Sequence, residues 1–120
     1  MRGMTDRRPL QRPLPHHHLV AYHVAVDLLR AVKRANIRDA KLRDEATRAA
    51  KSACLNTAEG AGRVSRPDKC RAFAIARGEA VEAAAAVEIA AAAGDADEVA
   101  AADCLPIADR LVALLTGLLR

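Results

Sequence analysis

Six basic residues in the middle of the chain have a type and spacing suited to binding phosphate: Arg48, Lys51, Arg63, Arg66, Lys69 and Arg71. Guanidinium groups take phosphate oxygens in forked geometry and ammonium groups take them as point charges, so the cluster is a candidate contact for the backbone of RNA or DNA. Arg38, Lys41 and Arg43 continue it toward the earlier sequence. Contacts of this kind supply affinity without reading sequence, and repeating a weak patch around an oligomer multiplies its effect. The plain alternative is a solvated helix face.

Asn56 and Glu59 stand beside two glycines and an arginine in Asn56-Thr-Ala-Glu-Gly-Ala-Gly-Arg63. They could make a ligand or subunit contact; equally, Glu59 could pair with Arg48 or Arg63 while Asn56 caps a neighbouring element. Catalytic chemistry finds little to work with. The chain has no Gly-rich phosphate loop, no His-Glu-x-x-His and no nucleophile elbow. Glu79, Glu82 and Glu88 hint at a di-iron carboxylate bundle, but that site needs Glu-x-x-His on two helices, and His16, His17, His18 and His23 all precede them. Adjacent histidines point different ways, so these read as a surface cluster at a helix entry rather than a metal site. Cys54, Cys70 and Cys104 are far apart and odd in number, which fits neither a disulfide framework nor a zinc site and predicts free thiols in a reducing cytoplasm. The expectation is a non-enzymatic protein with no metal and no cofactor.

The elements that hold these residues follow from composition. Of the 120 residues, 52% are apolar, and Ala supplies 29 of them against 13 Leu, 9 Val and 4 Ile. Ala is the best helix former and a poor strand former, so the chain reads as all-α with closely spaced helices. One Tyr, one Phe and no Trp leave no stacking platform for bases, which argues against a single-strand reader of the RRM or OB type. The Ala83–Ala93 stretch is broken by Glu88 and is too short to span a bilayer. No apolar segment of signal-peptide length opens the chain, so a cytoplasmic location is expected. Net charge is +4, unevenly spread: residues 1–71 hold 16 Lys/Arg and 7 Asp/Glu, while residues 72–120 hold 3 and 8. Such polarity can steer a polyanion to one end of the molecule or let copies associate basic end to acidic end.

Residues 1–16, with Pro9, Pro13 and Pro15 among basic residues, read as a flexible leader, and residues 17–120 as one helical domain. Apolar spacing of three and four predicts helices over about 17–35, 40–60, 66–93 and 96–119. Gly60 and Gly62 are expected to end the second helix, Ser65 to cap the third, and Asp95 with Glu98 to cap the fourth. Gly78, inside the third helix, predicts a neighbour packed where a Cβ would intrude. Pro106 predicts a kink or interruption in the fourth. Short connections favour an antiparallel up-down-up-down four-helix bundle. The third helix, apolar nearly all round, is expected in the bundle centre or at a subunit interface.

The stretch Asn56 to Arg63 followed by Ser65-Arg66 resembles the Asn-x-Ala-Glu-Gly-x-Gly-Arg-x-Ser motif of the bacterial four helix bundle protein family, also called 23S rRNA-intervening sequence proteins. Arg48-Ala-Ala and Ile75-Ala-Arg-Gly-Glu-Ala-Val-Glu82 are similar to further family patterns, and the likeness runs from about Leu19 to Leu119. Ala61 and Ala72 stand where the family usually has aromatics, Glu79 where it often has Ser, and Pro106 is atypical. The resemblance implies structural roles for Asn56, Glu59, Gly60, Gly62, Ser65, Gly78 and Glu82. It also implies a left-handed four-helix bundle assembled as a ring, commonly a homopentamer, with no established enzymatic activity. At fold level the likeness extends to the accessory protein of diversity-generating retroelements, a basic pentamer that binds nucleic acid and a reverse transcriptase. The expected function is therefore nucleic-acid binding by a homo-oligomer, with a protein-binding scaffold whose acidic half recruits a partner as the alternative.

Overall fold

The computed structural model describes residues 13–120, and the greater part of the expected leader lies outside the described residues. A short 3-10 turn, Pro15–His18, leads into four α-helices: α1 (Val20–Arg34), α2 (Ala40–Gly62), α3 (Arg66–Ala92) and α4 (Glu98–Leu118). The described residues contain no strand.

The first helix starts later than the periodicity suggests, because Pro15 and the histidines form a separate turn in which the Leu14 amide donates to His17 Nδ1 at 3.1 Å. Its end is set by Asn36, whose φ of 50° puts it in the left-handed region, where an Asn is tolerated. Asp39 then caps α2, its carboxylate accepting from the Leu42 amide at 2.9 Å. At the far end of α3, the Gly94 amide bonds Ala91 O at 3.1 Å and the Asp95 amide bonds Ala90 O at 2.7 Å. This is the paired closure of a Schellman motif, with Gly94 at φ +78°. Asp95 therefore belongs to the end of α3, and the cap of α4 is Asp97, which accepts from the Ala100 amide at 2.8 Å. The cap expected from the sequence is two residues early.

Each helix packs on its neighbour in sequence, and α1 also packs on α4. The α2–α4 diagonal makes no contact of note and the α1–α3 diagonal very little, an order that fits a four-helix bundle around one core. Its extents are 45 × 41 × 22 Å, the thinnest matching about two helix diameters at 10–12 Å each. The core is narrow because alanine builds most of it: Ala46, Ala49, Ala50 and Ala53 of α2 face Ala76, Ala80 and Ala83 of α3, all fully buried. Bulk comes from Leu28, Val87, Leu111 and Leu115, which are also fully enclosed.

The third helix is not central. One side is buried along Ala76, Ala80, Ala83, Val87 and Ala90, while Ile75, Val81 and Ile89 face outward. Pro106 does not interrupt α4, which continues to Leu118; the proline is exposed, so the carbonyl deprived of its N–H partner is on the exposed side of the helix, where water can reach it.

The connections are tied across the molecule. The Arg38 amide donates to Asp95 O at 2.7 Å and its guanidinium to Gly94 O, joining the α1–α2 loop to the α3–α4 loop. Arg66, at the start of α3, donates to Leu118 O at 3.0 Å and to Arg120 O, at the end of α4.

Candidate nucleic-acid interface

Arg48 on α2 bonds across to α3. Arg48 lies at the centre of three carboxylates: Nη1 is 3.0 Å from Glu79 Oε2, and Nη2 is 2.9 Å from Glu45 Oε2 and 2.8 Å from Glu82 Oε2. The hydrogen bonds to Glu79 and Glu45 hold the Arg48 pKa above its ordinary value, and the Arg48 hydrogen bond in turn holds the Glu79 carboxyl below its own. Glu82, singled out by motif, thus acts as an acceptor for Arg48.

At the far end of α2, Arg63 bonds Glu59 through Nη2 at 2.7 Å and Nε at 3.1 Å. Of the two partners open to Glu59, the structure selects Arg63. Asn56 caps no neighbouring element; its Nδ2 donates to Ser52 O at 3.0 Å and Ser52 Oγ at 3.1 Å within α2. Ser65 caps α3 as expected, its hydroxyl accepting from the Asp68 amide at 3.2 Å.

The motif glycines end α2, which runs two residues further than the spacing predicts. Gly60 and Gly62 are the last residues inside α2, and its C-cap is Arg63 in extended conformation. Gly60 is needed for close approach: a Cβ there would fall 2.5 Å from two carbons of the Phe73 ring. Gly62 and Gly78 have nothing within 4 Å of where a Cβ would stand, so no packed neighbour explains Gly78 within a single chain.

Two more of the six cations serve the fold. Lys69 reaches back over the turn, its Nζ 3.2 Å from Gly60 O and 3.0 Å from Ala61 O, where a cation satisfies the last carbonyls of α2 and meets the negative end of its dipole. Arg66 holds the end of α4 through its bonds to Leu118 O and Arg120 O. Lys51 and Arg71 remain: both are exposed, and neither appears in an ion pair or hydrogen bond with another described residue.

Four of the six line two grooves, and Arg66 and Lys69 line neither. One, of about 320 Å³, lies between the end of α2 and the start of α3 and is lined by Asn56, Glu59, Arg63, Asp68, Arg71, Ala72 and Ile75. Its charges are balanced, two of each sign. The other, of about 450 Å³, lies along α1 and α2 and is lined by Lys33, Arg43, Asp44, Thr47, Arg48 and Lys51. Cations predominate there, and Lys33 is a member that linear reading misses because it belongs to a different helix. Its signal is present only in the pairing of α1 with α2.

Elsewhere, the His16 ring lies 4.2 Å from that of His17 and 4.6 Å from that of Tyr22, between centroids. Partial burial, then the neighbouring His17 and His23, lower the His16 pKa. No group of three or more His, Cys, Asp or Glu among the described residues has the geometry to hold a metal ion. The three cysteines are free thiols, and burial pushes the Cys54 thiol up to about 11. No described helix is long and apolar enough to cross a membrane.

Four helices around an alanine-rich core, with the glycine-bearing motif closing the second, define a small helical-bundle protein. The chain belongs to the 23S rRNA-intervening sequence protein family, whose sequence profile matches residues 18–117. A search of the curated proteins finds no match to it.

Proposed function

We propose that the protein is a non-enzymatic, cytoplasmic homo-oligomer that binds RNA or DNA through a basic surface. The observation that carries this reading is the set of exposed cations with no acidic partner among the described residues, Lys33 and Lys51, on the basic half of a chain nearly devoid of aromatics. Affinity would come from phosphate neutralisation alone, and repetition around an assembly would raise it.

Each subunit is read as an antiparallel up-down-up-down bundle. The tie between the α1–α2 and α3–α4 loops, and that between the start of α3 and the end of α4, support this course. Association between copies is supported by the large apolar side chains left in water, Leu55 being 71% exposed, Val99 72% and Ile89 55%; a ring of five is the form the family resemblance implies.

Light scattering combined with anisotropy titration of labelled RNA and DNA at two salt concentrations tests both parts. A multimer whose binding weakens steeply with salt is the expected result. A protein that ignores both nucleic acids favours the second reading, a scaffold that recruits a protein partner. That reading draws on the α3–α4 groove, where Glu88 and Glu98 flank Ala91, Ala101, Ala102 and Leu105.

A further inference from the structure

We infer that the groove along α1 and α2 is a sequence-independent track for a nucleic-acid backbone, with Lys33 on one wall and Arg43, Thr47 and Lys51 on the other. The inference rests on the polyanion-binding reading above and gives it a place that the motif residues do not.

Few of the cations are available to a ligand. Four of the six residues marked out by sequence are bound within the chain: Arg48 by three carboxylates, Arg63 by Glu59, and Arg66 and Lys69 by helix-end carbonyls. An arginine held this way offers a phosphate little unless a carboxylate is displaced. Lys33 and Lys51 have no such partner among the described residues and face the same groove. Arg43 keeps most of its donors, with one long bond to Ile37 O at 3.4 Å and Asp44 Oδ1 at the edge of reach, 4.0 Å away.

The spacing then selects the ligand. Arg43, Thr47 and Lys51 recur every four residues on one face of α2, so Arg43 and Lys51 are about 12 Å apart along the helix at 1.5 Å per residue. Cations that far apart do not converge on one small anion. They match a row of charges, and one strand of a duplex presents a phosphate every 3.4 Å or so along its axis. The Thr47 hydroxyl between them can donate to a further phosphate oxygen.

The lining also separates a nucleic acid from a second protein chain. It contains no Leu, Ile, Val or aromatic side chain, whereas the centre of a protein interface is rich in them. Without aromatics the groove has no ring on which to stack a base, and its lysines and Thr47 suit phosphate oxygens, which favours contact with the backbone. The carboxylates nearest the groove are Asp44 in its lining and the Glu45, Glu79 and Glu82 group, which Arg48 engages on the α3 side of α2.

The test uses the full chain and two probes, a fluorescein-labelled 20-base-pair mixed-sequence DNA duplex and a single-stranded RNA of equal length, titrated by anisotropy between 50 and 200 mM KCl. The double variant Lys33→Ala/Lys51→Ala is compared with Arg63→Ala/Arg71→Ala from the other groove. Neither lysine bonds a described residue, so helicity by circular dichroism is expected to stay at the wild-type value. The lysine variant is expected to weaken binding and flatten the slope of log K against log salt by about 1.8 for the duplex or about 1.4 for the single strand. The arginine variant should leave that slope unchanged. If the arginine variant instead loses the slope and the lysine variant keeps it, the track is overturned while polyanion binding stands. If the wild type binds neither probe at 50 mM KCl, both readings fall together. Loss of oligomer mass in the lysine variant, with no change in salt slope, would assign the groove to a second copy of the chain and overturn the track.

Discussion

Gly60 and Phe73 occupy the same space so closely that no other residue fits at the first without moving the second. A Cβ at Gly60 would lie 2.5 Å from both Cδ1 and Cε1 of the ring and 3.0 Å from Cζ, and the ring is itself buried. The contact locks the last turn of α2 against the second turn of α3.

Gly60→Ala is therefore expected to destabilise the protein by about 1–3 kcal/mol, the usual range for overpacking a filled site. Urea titration measures this directly. Combining it with Phe73→Leu should recover part of the loss; a double variant no better than the sum of the two singles would show that the ring is not the obstacle.

Gly78 is the opposite case. It lies mid-helix with open space where its Cβ would be, so Gly78→Ala should raise stability by roughly 0.5–1 kcal/mol through helix propensity alone. If mass by light scattering falls while the subunit gains stability, the outward side of α3 lies between copies. A variant less stable at unchanged mass would contradict the open site.

Arg66 has the type and sequence position of a phosphate contact, yet its guanidinium is bonded to Leu118 O and Arg120 O. Arg66→Ala should speed amide exchange in the last turn of α4 and leave the salt slope of nucleic-acid binding at the wild-type value. A slope lower by about 0.9 would return it to the phosphate contacts.

Stability should also depend on acid in a defined direction. The hydrogen bond from Arg48 keeps the Glu79 carboxyl below its ordinary value of 4.5 in the folded chain. A carboxylate depressed by folding contributes fully above its unfolded pKa, and that contribution is lost as pH falls through the lower folded value. The thermal midpoint should thus decline as pH drops below about 4.5, and Glu79→Gln should flatten that decline. Superimposable profiles for the two proteins would remove Glu79 from the acid response.

Helix identity is legible in the sequence because alanine and leucine spacing fixes it locally. Ser65 and Asp39 are short-range signals, each accepting from an amide three residues on. The misplaced cap at Asp95 has a physical origin: Asp95 and Asp97 are both good caps followed by Glu98, and only the Gly94 closure, with the bond from Arg38 to Asp95 O, assigns Asp95 to α3. The close approach at Gly60 is not legible for a similar reason, since its cause is a ring 13 residues away. The candidate interface is the least legible part. A sequence names cations but not their partners, and Arg48, Lys69 and Arg66 are bound by groups up to 34, 9 and 54 residues distant. Lys33 joins the groove only once α1 lies beside α2.

Lys69 clasping the end of α2, together with the Ser65 cap and the Gly60–Phe73 contact, has a kinetic consequence. All three link residues within 13 positions of one another, and α2 with α3 forms the most extensive helix pair. Contacts that close short loops form early in folding, whereas α1 against α4 must wait for most of the chain. The central hairpin should serve as the folding nucleus, its amides around Ala53 protected in pulsed hydrogen exchange before those around Leu111. Unfolding would then begin by release of the two outer helices, leaving the hairpin as the last part of the molecule to melt.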